Sequence, residues 1–454
     1  MKEEKVKRKI KIKKRLSPFQ IIVLGFVGLV LIGTLLLMLP FSSTASGFAS
    51  FQDALFTATS AVCVTGLVVK DTATYWTWFG QLIILILIQI GGLGVVTVVV
   101  GFAMRFGRKI GLMQRNTMQA AISAPQVGGI MRLTNFIIRT TLIIELIGAI
   151  CLAPTMIMEF GFFGGVWRAI FTSISAFCNA GFDLMGTREQ FSSLVLFNSN
   201  IVVNTVIMLL IIIGGLGFST WDDIRTNKLR IKRYRMQSRV ILTMVFWLIF
   251  IPAVFFYFYE FSRPVWSEFS VLDKILASLF QAVTPRTAGF NTVSLSDMSE
   301  TSLIVIIVLM LIGGAPGSTA GGMKTTTIAV LLATTASVFR RRSDANCYGR
   351  RIADDTVKNA STILMMYLVL FFVSSVAIGA IEGLSMMECM FEVASAIGTV
   401  GLTLGITTSL SIYSKLILIF LMFFGRVGGL TLIFATSGNK QDGARLPAES
   451  INVG

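Results

Sequence analysis

The chain has 454 residues, of which 54% are hydrophobic and only 14% charged, with a net charge of +16 and no histidine. A soluble protein of this size carries about 25% charged residues, so the composition indicates lipid as the solvent. Without histidine the usual zinc and haem ligand sets are unavailable, and the five cysteines form no CxxC pair, which predicts no resident metal site.

Apolar runs long enough to cross about 30 Å of hydrocarbon recur along the chain. The first follows a basic N-terminus, and its length predicts an uncleaved span rather than a signal peptide. The clearest runs are Phe19–Pro40, Gly80–Met104, Thr140–Met158, Val240–Tyr259, Leu303–Phe339, Ser361–Ala380 and Lys415–Thr436.

Between the runs lie four 12-residue segments with glycine at the eleventh place. They are Phe56–Leu67, Phe171–Phe182, Leu279–Phe290 and Phe391–Leu402. As a helix, Phe171–Cys178 would cover only about 12 Å, too little to cross the membrane. The unit of span, short segment and span therefore repeats four times. It predicts an all-α membrane protein with eight transmembrane helices and four re-entrant pore helices, each followed by an extended stretch.

Charge assigns the predicted segments to sides of the membrane. Thirty of the 39 Lys and Arg residues fall on the termini and three connections, and seven fall on the other face, so the positive-inside rule places both termini in the cytoplasm. The outer face carries a net charge of −6, and a negative vestibule concentrates cations. The predicted segments are the cytoplasmic N-terminus 1–17, repeat 1 at 18–104, a loop at 105–135, repeat 2 at 136–220, a loop at 221–239, repeat 3 at 240–339, a loop at 340–360, repeat 4 at 361–436 and the cytoplasmic tail 437–454.

The end of each short segment has the chemistry of an ion filter. Backbone carbonyls can replace the water shell of a cation where the chain is extended, and glycine tolerates the dihedral angles that turn them. The side chains differ widely among the four copies, which favours a site made from main chain. The candidate filter residues are Val62, Cys63, Val64, Thr65 and Gly66; Phe177, Cys178, Asn179, Ala180 and Gly181; Pro285, Arg286, Thr287, Ala288 and Gly289; and Ile397, Gly398, Thr399, Val400 and Gly401.

These segments resemble the pore loops of the Trk/Ktr/HKT superfamily of cation transporters, and Thr284–Thr292 (TPRTAGFNT) closely resembles the third pore loop of its bacterial members. With eight predicted spans, the chain resembles the Ktr membrane subunit (KtrB/KtrD-like) more than the longer TrkH type. The resemblance implies a pseudo-fourfold arrangement around one central pore, and glycine in all four repeats implies potassium selectivity. Cys63 and Cys178 are a mild departure that does not alter a carbonyl filter.

The run Leu303–Phe339 would be about 55 Å long as one helix, far more than the membrane needs. Its middle is rich in glycine and proline, which should break the helix. A loop lining a cavity is favoured over a packing kink. The loop comprises Gly313, Gly314, Ala315, Pro316, Gly317, Ser318, Thr319, Ala320, Gly321, Gly322, Met323 and Lys324.

The resemblance implies that this loop obstructs the pore as a gate. Arg426 is an intramembrane cation, and such residues usually face a cavity or a partner. We hypothesise that Arg426 lies under the filter and holds the loop through its carbonyls. Lys324 is also an intramembrane cation, and the alternative role for it is that of a snorkelling interfacial anchor. Glycine pairs at Gly91–Gly94, Gly214–Gly217 and Gly428–Gly429 predict helix packing and bends.

The resemblance further implies a bacterial plasma-membrane homodimer on a separate octameric ring of nucleotide-binding RCK-type subunits (KtrA/KtrC-like), with ATP or ADP bound only there. This chain itself would carry no cofactor and bind no nucleic acid; potassium would be its substrate and sodium an activator. The alternative is a cation-coupled secondary transporter, such as a sodium/potassium symporter. Such folds often use inverted repeats and membrane acids, whereas here the only predicted intramembrane acid is Glu145. An enzyme is disfavoured because no nucleophile–base pattern or acid cluster is present.

Overall fold

The computed structural model describes residues 16–436 except 45, 46, 108, 109, 124, 125, 127, 229 and 343. The described part is mostly helical, which confirms the predicted class at this level. It also contains one antiparallel hairpin, of strands β1 (Asn346–Cys347) and β2 (Arg350–Arg351). Most of the predicted basic N-terminus, residues 1–15, and the predicted tail, 437–454, lie outside the described residues.

Within the described residues, four helices are individually long and apolar enough to cross a membrane: α1 (Pro18–Leu37), α7 (Ile130–Phe160), α11 (Met236–Phe255) and α15 (Asp354–Glu382). A single π-helical turn, Phe256–Glu260, continues α11. No more than 33% of the most apolar stretch of each is buried, so most of its side chains face outward, as expected of helices in lipid.

Three further apolar helices are bent rather than straight. The pairs are α4 (Trp78–Leu93) with α5 (Val95–Arg105), α9 (Ile201–Gly215) with α10 (Phe218–Asn227), and α17 (Ile412–Val427) with α18 (Gly429–Thr436), at angles of 96°, 97° and 90°. The spans predicted at 80–104 and 415–436 are therefore each bent within the apolar run, and the bends lie at the glycine pairs where the sequence predicted them. Each bend has a glycine with φ of 86° to 88°, at Gly94, Gly217 and Gly428, a backbone conformation that other residues rarely adopt.

The remaining apolar run is divided into α13 (Glu300–Leu311) and α14 (Thr325–Phe339) by residues 312–324. A break here is what the glycine and proline content predicts. With each bent pair taken as one span, the described residues hold up to seven candidate spans by length and composition, against the eight predicted. The difference is this divided run, whose two halves are each too short to qualify.

In the described residues, each of the four long helices is followed in the chain by a short helix. These short helices are α2 (Phe51–Cys63), α8 (Phe162–Cys178), α12 (Val271–Val283) and α16 (Met386–Gly398). Serine caps the N-termini of three, at Ser50, Ser270 and Ser385. The other helices are α3 (Thr72–Tyr75) and α6 (Leu112–Ala121), with 3₁₀ turns at Val195–Phe197, Ile231–Arg233, Pro264–Trp266, Leu295–Asp297 and Ile406–Thr408.

Candidate functional site

The four short helices all end in the same way. The third residue of each candidate filter segment has a positive φ although none is glycine: Val64 at 57°, Asn179 at 59°, Thr287 at 67° and Thr399 at 52°. In three segments the first two residues still belong to the helix, so the prediction of extended chain is wrong for Val62–Cys63, Phe177–Cys178 and Ile397–Gly398. Pro285 and Arg286 lie in a turn after α12. All twenty candidate filter residues are buried.

The four candidate filter segments meet at their glycines. A Cβ atom added to Gly66 would lie 3.1 Å from Cα of Gly181, and one added to Gly181 would lie 2.9 Å from Cα of Gly289. The series continues from Gly289 to Gly401 at 3.3 Å and closes from Gly401 to Gly66 at 2.9 Å. The four glycines therefore form a closed ring, in chain order.

The ring also contains the carbonyl of each fourth-place residue. An added Cβ on Gly66 would lie 2.5 Å from the carbonyl oxygen of Ala180. The matching distances are 2.8 Å from Gly181 to Ala288, 2.3 Å from Gly289 to Val400 and 2.2 Å from Gly401 to Thr65. The φ angles of the four glycines lie between 69° and 93°. Glycine is thus required twice, by backbone conformation and by close approach to the neighbouring segment.

A second set of glycines brings the bent helices against the ends of the short helices. An added Cβ on Gly91, Gly214 or Gly425 would lie 2.0 to 2.2 Å from the carbonyl oxygen of a first-place filter residue. These carbonyls belong to Val62, Phe177 and Ile397 respectively. The glycine pairs at 91 and 214 were expected to serve packing, whereas Gly425 was missed because it stands alone beside Arg426.

The loop 313–324 lies against the same filter segments. The Thr319 hydroxyl donates to the carbonyl of Phe177 at 3.0 Å, and an added Cβ on Gly321 would lie 2.1 Å from Thr399 Oγ1. Backbone N–H groups of Ala315, Thr319 and Gly322 donate to the carbonyls of Gly215, Gly214 and Gly425, at 3.0, 3.2 and 3.1 Å.

The loop is also stabilised by shorter-range hydrogen bonds. The N–H of Gly313 donates to the carbonyl of Met323, and the Ser318 hydroxyl donates to the carbonyl of Ala315. The carbonyl of Gly317 accepts from the N–H of Phe218. Pro316, Gly317 and Ser318 are half-buried, and Gly314, Ala320 and Gly322 are buried.

Arg426 joins the loop to a bent helix. Its guanidinium donates to the carbonyls of Thr319, Gly91 and Gly92, the last at 2.9 Å. Lys324 donates to the carbonyls of Ala320 at 2.8 Å and Gly321 at 3.3 Å, so its ammonium is held within its own loop. Both side chains line a cavity of about 290 Å³ beside the loop, which agrees with the expectation that membrane cations face a cavity.

An acidic residue lies just beyond the ring. Asp183 follows Gly181 by two positions, and its carboxylate accepts a hydrogen bond from the N–H of Met185 at 2.9 Å. Burial raises the pKa of Asp183 to about 6, the nearby charge of Asp71 adds to the rise, and the Met185 N–H opposes it. Sequence reasoning counted Asp183 only as one of many outer acids.

Taken together, these residues describe a helical membrane protein in which four short helices end at one ring of glycines. The chain belongs to the TrkH family, described as cation transport protein, which matches residues 4–443. This confirms the resemblance to the Trk/Ktr/HKT superfamily.

Known relatives match along nearly the whole chain. It is 39% identical to the potassium/sodium uptake protein NtpJ of Enterococcus hirae, over 98% of this chain and 99% of that protein. It is 38% identical to the Ktr system potassium uptake protein B of Bacillus subtilis, over 97% of both chains. Among solved structures it resembles the potassium transporter TrkH of Vibrio parahaemolyticus, with a TM-score of 0.73 and 20% identity, over 96% of this chain and 87% of that one.

Proposed function

We propose that this chain takes up potassium across the cell membrane through a pore whose selectivity filter is built from the four glycine-containing segments. The observation that carries the proposal is the closed ring of Gly66, Gly181, Gly289 and Gly401. A ring of peptide groups on one axis is the arrangement in which carbonyl oxygens can replace the water shell of a cation. The relatives named for potassium uptake support potassium as that cation.

In this proposal the twenty candidate filter residues act through main-chain oxygens. The fourth-place carbonyls, those of Thr65, Ala180, Ala288 and Val400, lie at the contacts between neighbouring segments. The C-terminal ends of α2, α8, α12 and α16 point at the same ring, and each adds a partial negative charge that favours a cation. Eight spans and four re-entrant helices in pseudo-fourfold order, with the domain boundaries predicted above, complete this architecture.

The loop 313–324 is the proposed gate. It is held against filter segments 2 and 4 through Thr319 and Gly321, and Arg426 fixes one of its carbonyls. Two of the bent helices also hold it, because the carbonyls of Gly214 and Gly215 in α9 and of Gly425 in α17 accept its N–H groups. A change that frees these contacts would open the passage for ions.

Regulation is proposed to come from a cytosolic partner. The B. subtilis relative is named as protein B of a Ktr system, which supports a membrane subunit acting with other components. The proposed assembly is a homodimer in the bacterial plasma membrane, with cytoplasmic termini, on an octameric RCK-type ring that alone binds ATP or ADP. Basic connections on the inner face offer the docking surface.

A second candidate function is uptake of sodium together with potassium. One observation favours it: the relative from E. hirae is named as a potassium/sodium uptake protein. Glu145, the one acid predicted within a span, is buried against Gln89 and Cys178 rather than in the glycine ring, which disfavours coupling through this carboxylate. Sodium would therefore act either as a co-substrate of the carbonyl filter or as an activator.

Rubidium and potassium flux into liposomes, with and without sodium and the partner, tests the proposal. Serine at position 66 or 289 would place its Cβ 2.5 or 2.3 Å from a neighbouring carbonyl oxygen, in a backbone conformation that serine disfavours. We expect Gly66→Ser and Gly289→Ser to lower the preference for potassium over sodium by about tenfold or more, since a displaced carbonyl costs about 1.4 kcal/mol or more.

The matched control is Gly28→Ser, because a Cβ at Gly28 would have no heavy atom within 4 Å among the described residues. This variant should keep the parent selectivity. If Gly66→Ser and Gly289→Ser are as selective as Gly28→Ser, at equal expression, the filter assignment is contradicted. Potassium flux that stops without sodium in the parent protein would favour the second candidate.

A further inference from the structure

One hydroxyl-bearing residue near the end of each short helix contacts the filter segment of its own repeat. These residues are Ser60, Ser175, Thr284 and Ser395, and all four are fully buried. The backbone carbonyl of each accepts the N–H of the fourth-place residue, at 2.8 Å for Thr65, Ala180 and Val400 and 3.0 Å for Ala288. In each repeat, the hydroxyl-bearing residue therefore fixes the fourth-place residue of its own filter segment.

In repeats 1 and 4 the hydroxyl also reaches the filter glycine. The N–H of Gly66 donates to Ser60 Oγ at 3.1 Å, and the N–H of Gly401 donates to Ser395 Oγ at 3.0 Å. Both bonds are buried and bridge six residues of the chain. Each one orients the peptide group between the fourth-place residue and the glycine, whose carbonyl lies in the ring.

In repeats 2 and 3 the hydroxyl binds a peptide group two places further along the chain. Ser175 Oγ donates to the carbonyl of Phe182 at 2.7 Å, and Thr284 Oγ1 donates to the carbonyl of Phe290. The two modes follow the sequence, since the filter glycine is followed by phenylalanine in repeats 2 and 3 and by leucine in repeats 1 and 4. Segments with the same mode are neighbours in the glycine ring.

We propose that Ser60, Ser175, Thr284 and Ser395 are positioning residues that set the orientation of the filter carbonyls, and hence the preference for potassium, through two modes of hydroxyl bonding that divide the filter into two halves. The inference rests on the proposed potassium pore and names what holds its filter in shape. The hydroxyls do not touch the ion. They act through the peptide groups, because a buried N–H or carbonyl that loses its partner turns toward another one.

Thr284 offers the cleanest test, because valine has the same shape without the hydroxyl and serine keeps the hydroxyl without the methyl group. The readout is the potassium-over-sodium preference in liposome flux. We expect Thr284→Val to lower it about threefold to tenfold, the range that corresponds to one lost hydrogen bond, and Thr284→Ser to retain it. A merely structural role would alter the thermal unfolding temperature without separating the two variants in selectivity.

Thr141→Val in α7 is the matched control. The Thr141 hydroxyl is equally buried, has no hydrogen-bond partner among the described residues and lies on a long helix outside the filter. This variant should keep the parent selectivity. If Thr141→Val and Thr284→Val change selectivity equally, the effect is general and the inference is overturned.

Ser60→Ala extends the test to the other half of the filter and replaces Thr284→Val if that variant does not fold. It should lower selectivity in the same way by freeing the N–H of Gly66. Parent-like selectivity in Thr284→Val and Ser60→Ala would overturn the inference while leaving the pore in place. A parent protein that conducts no potassium would instead overturn the proposed function itself.

Discussion

Asp183 is the acidic residue closest in sequence to any of the four ring glycines. Its pKa of about 6 is raised by burial, so the carboxylate is charged above that pH and becomes neutral as the pH falls through it. A negative charge at the mouth of a pore raises the local concentration of cations. We therefore expect potassium uptake at low external potassium to fall about twofold to fivefold between external pH 7 and pH 5.

Asp183→Asn should show the low rate at both pH values, measured by rubidium uptake into cells or liposomes. Glu189→Gln, which alters an exposed carboxyl six residues further along, serves as the control and should keep the pH dependence. An unchanged pH profile in Asp183→Asn would remove Asp183 from the account.

At this scale the sequence predicted the ring glycines but not the residues that support them. Gly66, Gly181, Gly289 and Gly401 recur at a fixed place in four copies, which made them visible. Ser60 and Ser395 also recur, yet their importance lies in bonds that bridge six residues and bend back onto the segment. Such contacts follow from the positive φ of the third residue in each filter segment. The residue types of Val64 and Thr399 do not predict that conformation.

Among the elements, the third and fourth long helices, α11 and α15, are each linked in the same way to the helix that starts after the filter of their repeat. Glu260 accepts hydrogen bonds from the N–H and hydroxyl of Ser299, at 3.2 and 2.6 Å, and from the hydroxyl of Ser302 at 2.7 Å. Glu382 does the same with Ser411, at 2.9 and 2.6 Å, and Ser414. Each carboxylate links the end of a long helix to the first turn of the helix after the filter, α13 or α17.

Removing Glu260 should destabilise the protein more than any change to an exposed acid. Glu260 is fully buried and also accepts from Trp266 and Arg263, so Glu260→Ala leaves the buried donors of Trp266 and Ser302 unpaired. We expect the free energy of unfolding to fall by about 3 kcal/mol, measured in detergent by denaturant titration. Glu268→Ala, at an exposed acid in the connection between α11 and α12, should change it little, and equal losses in both variants would contradict this role.

The gate is a prediction about an element rather than a residue. Arg426→Gln removes the charged donor to Thr319, Gly91 and Gly92, and so should loosen the loop and raise rubidium flux in the absence of the partner. Deleting residues within Gly314–Gly321 should raise it further. Lys415→Gln alters a buried cation at the opposite end of the same helix and should leave flux unchanged. Unchanged or lower flux in Arg426→Gln, at normal expression, would remove the gating proposal.

The bends show why element boundaries were harder to predict than elements. Hydropathy continues through Gly94 and Gly428, so a sliding window predicts one span where the structure has two helices at about 90°. The glycine pairs predicted bends there but not the direction of each bend. That direction depends on contacts with other segments, such as the approach of Gly91 to Val62, which a single sequence does not reveal.

For the whole molecule, composition, charge and the fourfold recurrence were enough to predict a helical membrane protein, and the resemblance of its filter segments to known pore loops predicted the superfamily to which it belongs. The closed order of the glycine ring, from segment 1 through segment 4 and back, required the structure. Segments about 110 residues apart in sequence share no local signal that tells which of them are neighbours. The division of the filter into halves, repeats 2 and 3 against repeats 4 and 1, likewise appears only when the hydroxyl contacts are known.

The central claim is that four peptide segments hold a dehydrated potassium ion on one axis. The most direct measurement is a crystal structure of the protein soaked with rubidium or thallium, read from the anomalous signal of the ion. We expect anomalous density enclosed by the carbonyl oxygens of Thr65, Ala180, Ala288 and Val400, and its loss in Gly289→Ser. Ions bound elsewhere in the membrane region, with none inside this ring, would contradict it.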